Sequence, residues 1–191
     1  MGNDARILVP QMARLYLAPV GTVAPDGPTI AVGVGWKEVG FFTPDSLQWA
    51  TDPNFEEVTS HQSNYPTRQF QTADAATIEC DLQEWSAENF KAVFGGGEVV
   101  EVTPAGGPPA YFKFSPPAVG GRSNISAIIE VIDGTKHYRT VVPKAQQTEG
   151  AELGYDRTAE TTLPLRLSIV GSDVGDPWYL MTDDPAFEPA P

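Results

Sequence analysis

Proline and glycine, 18 of each in 191 residues, stand between short apolar runs along the chain instead of pooling in one tract. That is the punctuation of a many-stranded β protein. The clearest strand covers residues 76–83, where Ala76, Ile78, Cys80 and Leu82 alternate with Thr77, Glu79, Asp81 and Gln83. Strict period two sends the first set to a core face and the second to water. Directly after it, Ser86 is placed to cap a helix over 87–94. Glu88 stands in its first turn, Lys91 near its end and Gly95 at its stop, and Ala87, Phe90 and Phe94 form its apolar side.

Further strands are predicted over 13–18, 36–43, 46–50, 54–60, 98–103, 111–115, 125–132, 136–142 and 163–169. Turn residues mark Pro44-Asp45, Asp52-Pro53-Asn54 and a tight hairpin at Asp133-Gly134, while 61–67 is polar, contains Pro66 and reads as a loop. Pro164 argues that the last strand begins there or lies at a sheet edge. Residues 144–160 are weakly patterned. Beyond Gly171 the chain carries five acids, four prolines and no base, which suggests an extended arm or partly disordered tail apart from 178–181. The fold class expected is mostly β (α+β), a sandwich or barrel with one flanking helix.

A chain of this length holds one domain with a real core, and its single cysteine excludes a disulfide framework. The formal charge of −13 repels phosphate backbones and anionic membranes, and the 12 Lys and Arg form no basic cluster. No apolar run reaches membrane-spanning length, and the first residues lack a signal-peptide pattern, so a chain made and kept in the cytoplasm is expected. Residues 45–88 concentrate the charge, with nine acids against Arg68 alone.

Site chemistry is sparse. His61 and His137 have no second ligand at metal spacing, and Cys80 falls on the apolar side of its strand as a small hydrophobe. Gly95-Gly96-Gly97 follows a helix and lacks a following Lys-Ser or Lys-Thr, so it reads as a helix stop and not a phosphate cradle. Glu56-Glu57, Asp183-Asp184 and the Asp173/Asp176 pair read as solvated charge. Trp36, Trp49, Trp85 and Trp178 would suit a sugar-stacking platform if they converged, which keeps a monomeric β-sandwich ligand-binding module as an alternative. No catalytic residue, metal site or cofactor is expected.

The order of elements carries a resemblance: ARLYLAPVGT, then GWKEVGFF, an acidic hairpin ending in Pro-Thr-Arg, TIECDLQEWSAENFKAVFGGG, IIEVIDGTKHYRTVVPKAQ and TTLPLRLSIVGSD. This order resembles the major tail protein, or tail tube protein, of siphoviruses, the long-tailed bacteriophages. The similarity spans residues 13–172, flanked by an N-terminal arm over 1–12 and an acidic C-terminal arm or tail over 173–191. It implies a β sandwich with a flanking helix whose copies form hexameric rings, the inner sheets joining into one β barrel. The rings would stack around a tape measure protein between the tail terminator and the baseplate or distal tail proteins. DNA would pass through the lumen unbound, and the negative charge would keep it sliding. The site would be the virion tail, reached from the host cytoplasm during assembly. A related contractile or secretion-system tube protein is a further alternative, after the ligand-binding module, and no immunoglobulin-like decoration domain is expected.

Two surfaces are singled out. The polar side of the 76–83 strand, Thr77, Glu79, Asp81 and Gln83, is the candidate lumen face. The long connection over 44–67 joins two strands with far more chain than a turn needs, and its Trp49, Phe55, Glu56, Glu57 and Tyr65 are candidates for ring-to-ring stacking, because acids resist burial in the subunit's own core while exposed aromatics favour an interface.

Overall fold

The computed structural model describes residues 6–107, 109–171 and 175–189. Ten strands and one α-helix follow one another among them: β1 (Met12–Pro19), β2 (Lys37–Glu38), β3 (Gln48–Val58), β4 (Arg68–Leu82), α1 (Ala87–Val93), β5 (Glu98–Val102), β6 (Tyr111–Ser115), β7 (Asn124–Asp133), β8 (Lys136–Gln147), β9 (Leu163–Ile169) and β10 (Tyr179–Thr182). The mostly-β class expected from the sequence is the one observed. Eight strands form one sheet in the order β2-β1-β7-β8-β9-β4-β3, with β10 on β8, and β5-β6 is a separate hairpin.

The sheet folds over at β8. One edge of this long strand pairs with β7, while its other edge carries β10 opposite Tyr138–Val141 and then β9 opposite Ala145–Gln147. Strands β1 and β7 thereby face β4 and β9 across a single core that holds Leu15, Leu17, Ile78, Cys80, Leu82, Ala127, Ile129, Leu163, Leu165 and Leu167. The alternation in 76–83 did its work as read: Ile78, Cys80 and Leu82 are fully buried. The opposite face of β1-β7-β8 is covered too, by the loop that carries Trp36, so Ile128 and Val141 are buried in a second cluster. There Arg139 is 1% exposed, pairs with Glu130 at 2.5 Å and donates to the Gly27 and Ile30 carbonyls, pinning that loop to the sheet.

Residues 36–43, expected as one strand, pair only at Lys37–Glu38 with β1 and at Phe42 with Leu82. Gly40 bends the chain at φ 79, and a Cβ there would collide with the Glu84 carboxylate, which accepts the Phe41 amide at 2.9 Å. The segment is therefore a strap from the β1 edge to β4, with Val39 N–H on Leu15 O and Thr43 N–H on Asp81 O. It closes the seam that the folded sheet leaves open.

Helix α1 begins as predicted, with Ser86 Oγ accepting the Asn89 amide, and ends where Gly95 takes φ 74. Its most buried residues are Asn89 and Val93, not Ala87, Phe90 and Phe94. Asn89 Nδ2 donates to the Val39 and Glu84 carbonyls at 2.9 Å, tying helix to strap. Phe90 and Phe94 are half-buried, packing both on the core and against Phe114 of β6. A polar residue faces inward because the strap offers unpaired carbonyls there, a demand invisible in local periodicity. The helix is thus held between the core and the β5-β6 hairpin.

One other reading changes. The expected turn at Asp52-Pro53-Asn54 is absent: β3 runs straight through it, with one register shift between Asn54 and Phe55. Pro53 is tolerated because β3 is the last strand of the sheet among the described residues, with no strand paired to its outer edge there. Of the two places expected for Pro164, the strand beginning is the one observed: β9 is interior, between β8 and β4, and Pro164 is its second residue, where pairing with β8 has not yet begun. The registers also define two ends of the molecule. Pro19, Ile125, Gln147, Leu163 and α1 lie at one end, and β3 and β4 leave the body at the other.

Candidate assembly surfaces

The connection over 44–67 is a β arm. Residues 51–75 form two paired strands and a tip, from Thr51 opposite Ala76 out to Val58 opposite Arg68, and all of them are exposed except half-buried Ser60. At about 3.4 Å per residue the paired part reaches roughly 25 Å from the body. The loop over 61–67 forms only the tip, where the Thr67 amide returns to Val58 O and Ser63 Oγ bonds Tyr65 O. The strand that the sequence placed at 76–83 therefore starts at Arg68. Its outer half was hidden because Gln69-Phe70-Gln71-Thr72 has no buried face and so no hydrophobic period.

The arm leaves Phe55 55% and Tyr65 80% exposed, with Val58 and Phe70 also open. Cross-strand register puts Phe55 and Glu57 on one face with Gln71 and Gln69, and Glu56 with Phe70 on the other. Gln69 Nε2 donates to Glu57. Asp52, Glu56, Glu57 and Asp74 against Arg68 make the arm acidic. Trp49 differs from the other aromatics singled out beside it. It sits at the arm's root, half-buried on the core, with its ring edge-on to Trp178 at 5.0 Å.

The polar side of β4 presents Thr77, Glu79, Asp81 and, just past the strand, Gln83, all half-exposed. Arg166 of β9 crosses this face, with Nη2 2.8 Å from Asp81 and Nε 3.5 Å from Glu79. Gln83 donates to Glu160 at 2.8 Å. The surface is an alternating acid-base ladder instead of bare acid, and the partner residue, opposite Glu79 in the register, was missed because its strand reads mainly through its leucines.

The remaining polar residues are occupied. Asp183 and Asp184, expected as solvated charge, fasten the C-terminal segment to β8. Asp183 accepts the His137 amide at 2.7 Å and lies 2.9 Å from His137 Nδ1. Asp184 is 7% exposed and accepts from Tyr138 Oη at 2.5 Å, Ala186 N at 2.9 Å and Lys136 Nζ at 3.1 Å. Those donors hold the Asp184 carboxyl down at about 2, and the same contact pushes the Tyr138 hydroxyl up to about 12. Asp173 of the Asp173/Asp176 pair lies outside the described residues. Burial raises the Cys80 thiol to about 12, consistent with a packing residue. No group of three metal-ligating side chains occurs among the described residues.

The four tryptophans do not converge on one surface. Trp36 is buried with Nε1 on Val23 O, Trp49 and Trp178 form their own pair, and Trp85 stands beside α1 with Nε1 on Thr161 O. That dispersal removes the stacking platform on which a ligand-binding module would rest. No described helix is long and apolar enough to cross a membrane.

The most conspicuous exposed feature of this folded-over β sheet is its projecting strand arm. The profile of the phage tail tube protein family matches residues 1–191, the whole length, and the chain belongs to that family. Its place is the tail of a phage virion, as a structural component of the tube. No curated protein matches it significantly.

Proposed function

We propose that this protein polymerises into stacked hexameric rings and so builds the conduit through which phage DNA enters the host cell, without catalysis. Residues 13–172 would form the tube domain, with residues 1–12 and 173–191 as flanking arms. The observation that carries the reading is the arm over 51–75, a projecting hairpin that exposes Phe55 and Tyr65. Large exposed apolar groups and an open edge strand favour aggregation unless a partner covers them, and a second ring supplies that partner. Phe55, Glu56, Glu57 and Tyr65 are assigned to ring stacking, while Trp49 anchors the arm's root against Trp178.

The lumen face in this reading is the ladder of Thr77, Glu79, Asp81 and Gln83 with Arg166 between the acids. Charges paired in this way attract phosphate weakly, and the overall −13 adds repulsion, so DNA slides. The tube would assemble around a tape measure protein, between the tail terminator and the distal tail proteins, in the host cytoplasm before joining the virion. Subunits of this charge repel one another, and salt shortens that repulsion to about 8 Å at physiological ionic strength, so polymerisation should strengthen as salt rises. Negative-stain electron microscopy of concentrated purified protein tests the proposal: rings or tubes are expected, and uniform small particles at every salt concentration would overturn it.

A further inference from the structure

The stacking role of the arm leaves open what receives it. At the opposite end of the subunit lies a cleft of about 360 Å³ between the β1-β2 edge and α1. Its walls are mainly apolar, including Leu17, Val39, Ala92 and Ile125. Three glycines, Gly35, Gly95 and Gly96, line it without side chains, each at a positive φ. Lys37 and Lys91 stand at the cleft with Glu88, and neither lysine forms an ion pair with a described residue. In a chain with 12 basic residues against 25 acids, two uncommitted lysines beside one apolar cleft is a local reversal of charge.

We propose that this cleft receives the arm of a second copy of the chain, with Phe55 entering the apolar walls and Glu57, on the same face of β3, meeting Lys37 and Lys91. The proposal rests on the stacking role assigned to the arm. Three observations bring the two surfaces together. The arm offers an exposed aromatic beside an acid, and the cleft offers an apolar recess whose lining includes two lysines against one acid, Glu88. The arm also leaves one end of the sheet while the cleft lies at the other. A contact between opposite ends of identical subunits is head-to-tail, and such contacts propagate into an open stack instead of closing as a dimer.

A charge-exchange cycle tests this on full-length protein. Lys37→Glu with Lys91→Glu should weaken tube growth about tenfold in the protein concentration required, as should Glu57→Lys alone, with melting unchanged in both. Combining the three substitutions should restore growth, because the pair is reversed and not removed. Glu56→Lys, on the other face of β3, should not rescue the cleft variant. Normal growth of the cleft variant overturns the proposal. So does failure of rescue by Glu57→Lys, which would assign the cleft to another segment, such as the exposed Ile7-Leu8-Val9 run. Excising the arm separates the two levels: if excision stops growth while the cleft variant grows normally, stacking by the arm stands and the receptor is elsewhere. If excision leaves growth intact, both fall.

Discussion

Strand β4 is two structures in one. From Ala76 to Leu82 it alternates buried and half-exposed residues, is paired by β3 as far as Glu79 and by β9 from Thr77 onward, and supplies three fully buried side chains to the core. From Arg68 to Ala75 it keeps the same ladder to β3 but, among the described residues, has no second strand partner and is exposed throughout. The hydrogen bonding is similar, while the burial is not. Each backbone bond is worth only about 0.5–1.5 kcal/mol net, and an isolated two-stranded hairpin is marginal in water. The inner half therefore carries stability, and the outer half persists because it continues strands already fixed by the body. A segment held in this way can be shaped by assembly without cost to the fold.

The largest expected effect is the removal of that outer half. Replacing residues 52–75 by Asn-Gly joins Thr51 to Ala76, which already face each other, through a favoured two-residue turn. The shortened subunit should melt cooperatively near the parent temperature yet form no tubes visible by electron microscopy. A large fall in melting temperature would mean that the arm belongs to the fold, and the contrast between the halves would collapse.

Single truncations sharpen the same contrast. Ile78→Ala removes a fully buried side chain and should cost about 2–5 kcal/mol in denaturant unfolding. Phe55→Ala, on the arm, should cost less than about 0.5 kcal/mol in the free subunit, as exposed substitutions usually do, and act on assembly alone. Comparable losses at the two positions would place Phe55 against its own body.

The C-terminal segment is a third case, held by ionised side chains. Asp184 is depressed to about 2 in the folded chain, chiefly by the Tyr138 hydroxyl, below its unfolded value of about 3.9. Its contribution is therefore present above about pH 4 and lost as pH falls toward 2. Hydrogen exchange should show β10 loosening in that window before the core of β4, and Asp184→Asn should loosen it already at neutral pH. Simultaneous loss of β10 and core protection at all pH values would show that the segment is not separately fastened.

The smallest effect on stability is expected at the polar face of β4. Glu79→Lys with Asp81→Lys breaks partly exposed pairs with Arg166, worth about 1 kcal/mol or less, and should leave tubes intact. In a virion the added positive charge should slow DNA delivery. Unchanged delivery would argue that this face lies outside the lumen.

The sequence by itself determined the elements with a strong period or a local signature: the core side of β4, the Ser86 cap and Gly95 stop of α1, the Asp133-Gly134 hairpin and the existence of strands β5 and β6. Each depends on residues close in the chain, and burial or capping leaves its mark on residue type. It also placed acids and aromatics in the segment that became the arm. What it could not give was the arm itself, because a ladder exposed on both faces selects for no alternation. Nor could it give the strap at 36–43, whose bonds go to β1 on one side and β4 on the other, or the inward-facing Asn89 that serves it. Arg166 between Glu79 and Asp81, and the apolar cleft with Lys37 and Lys91, bring together side chains from strands and a helix far apart in the chain. Only the folded sheet makes them neighbours, since their pairing energy depends on distances that no local pattern records.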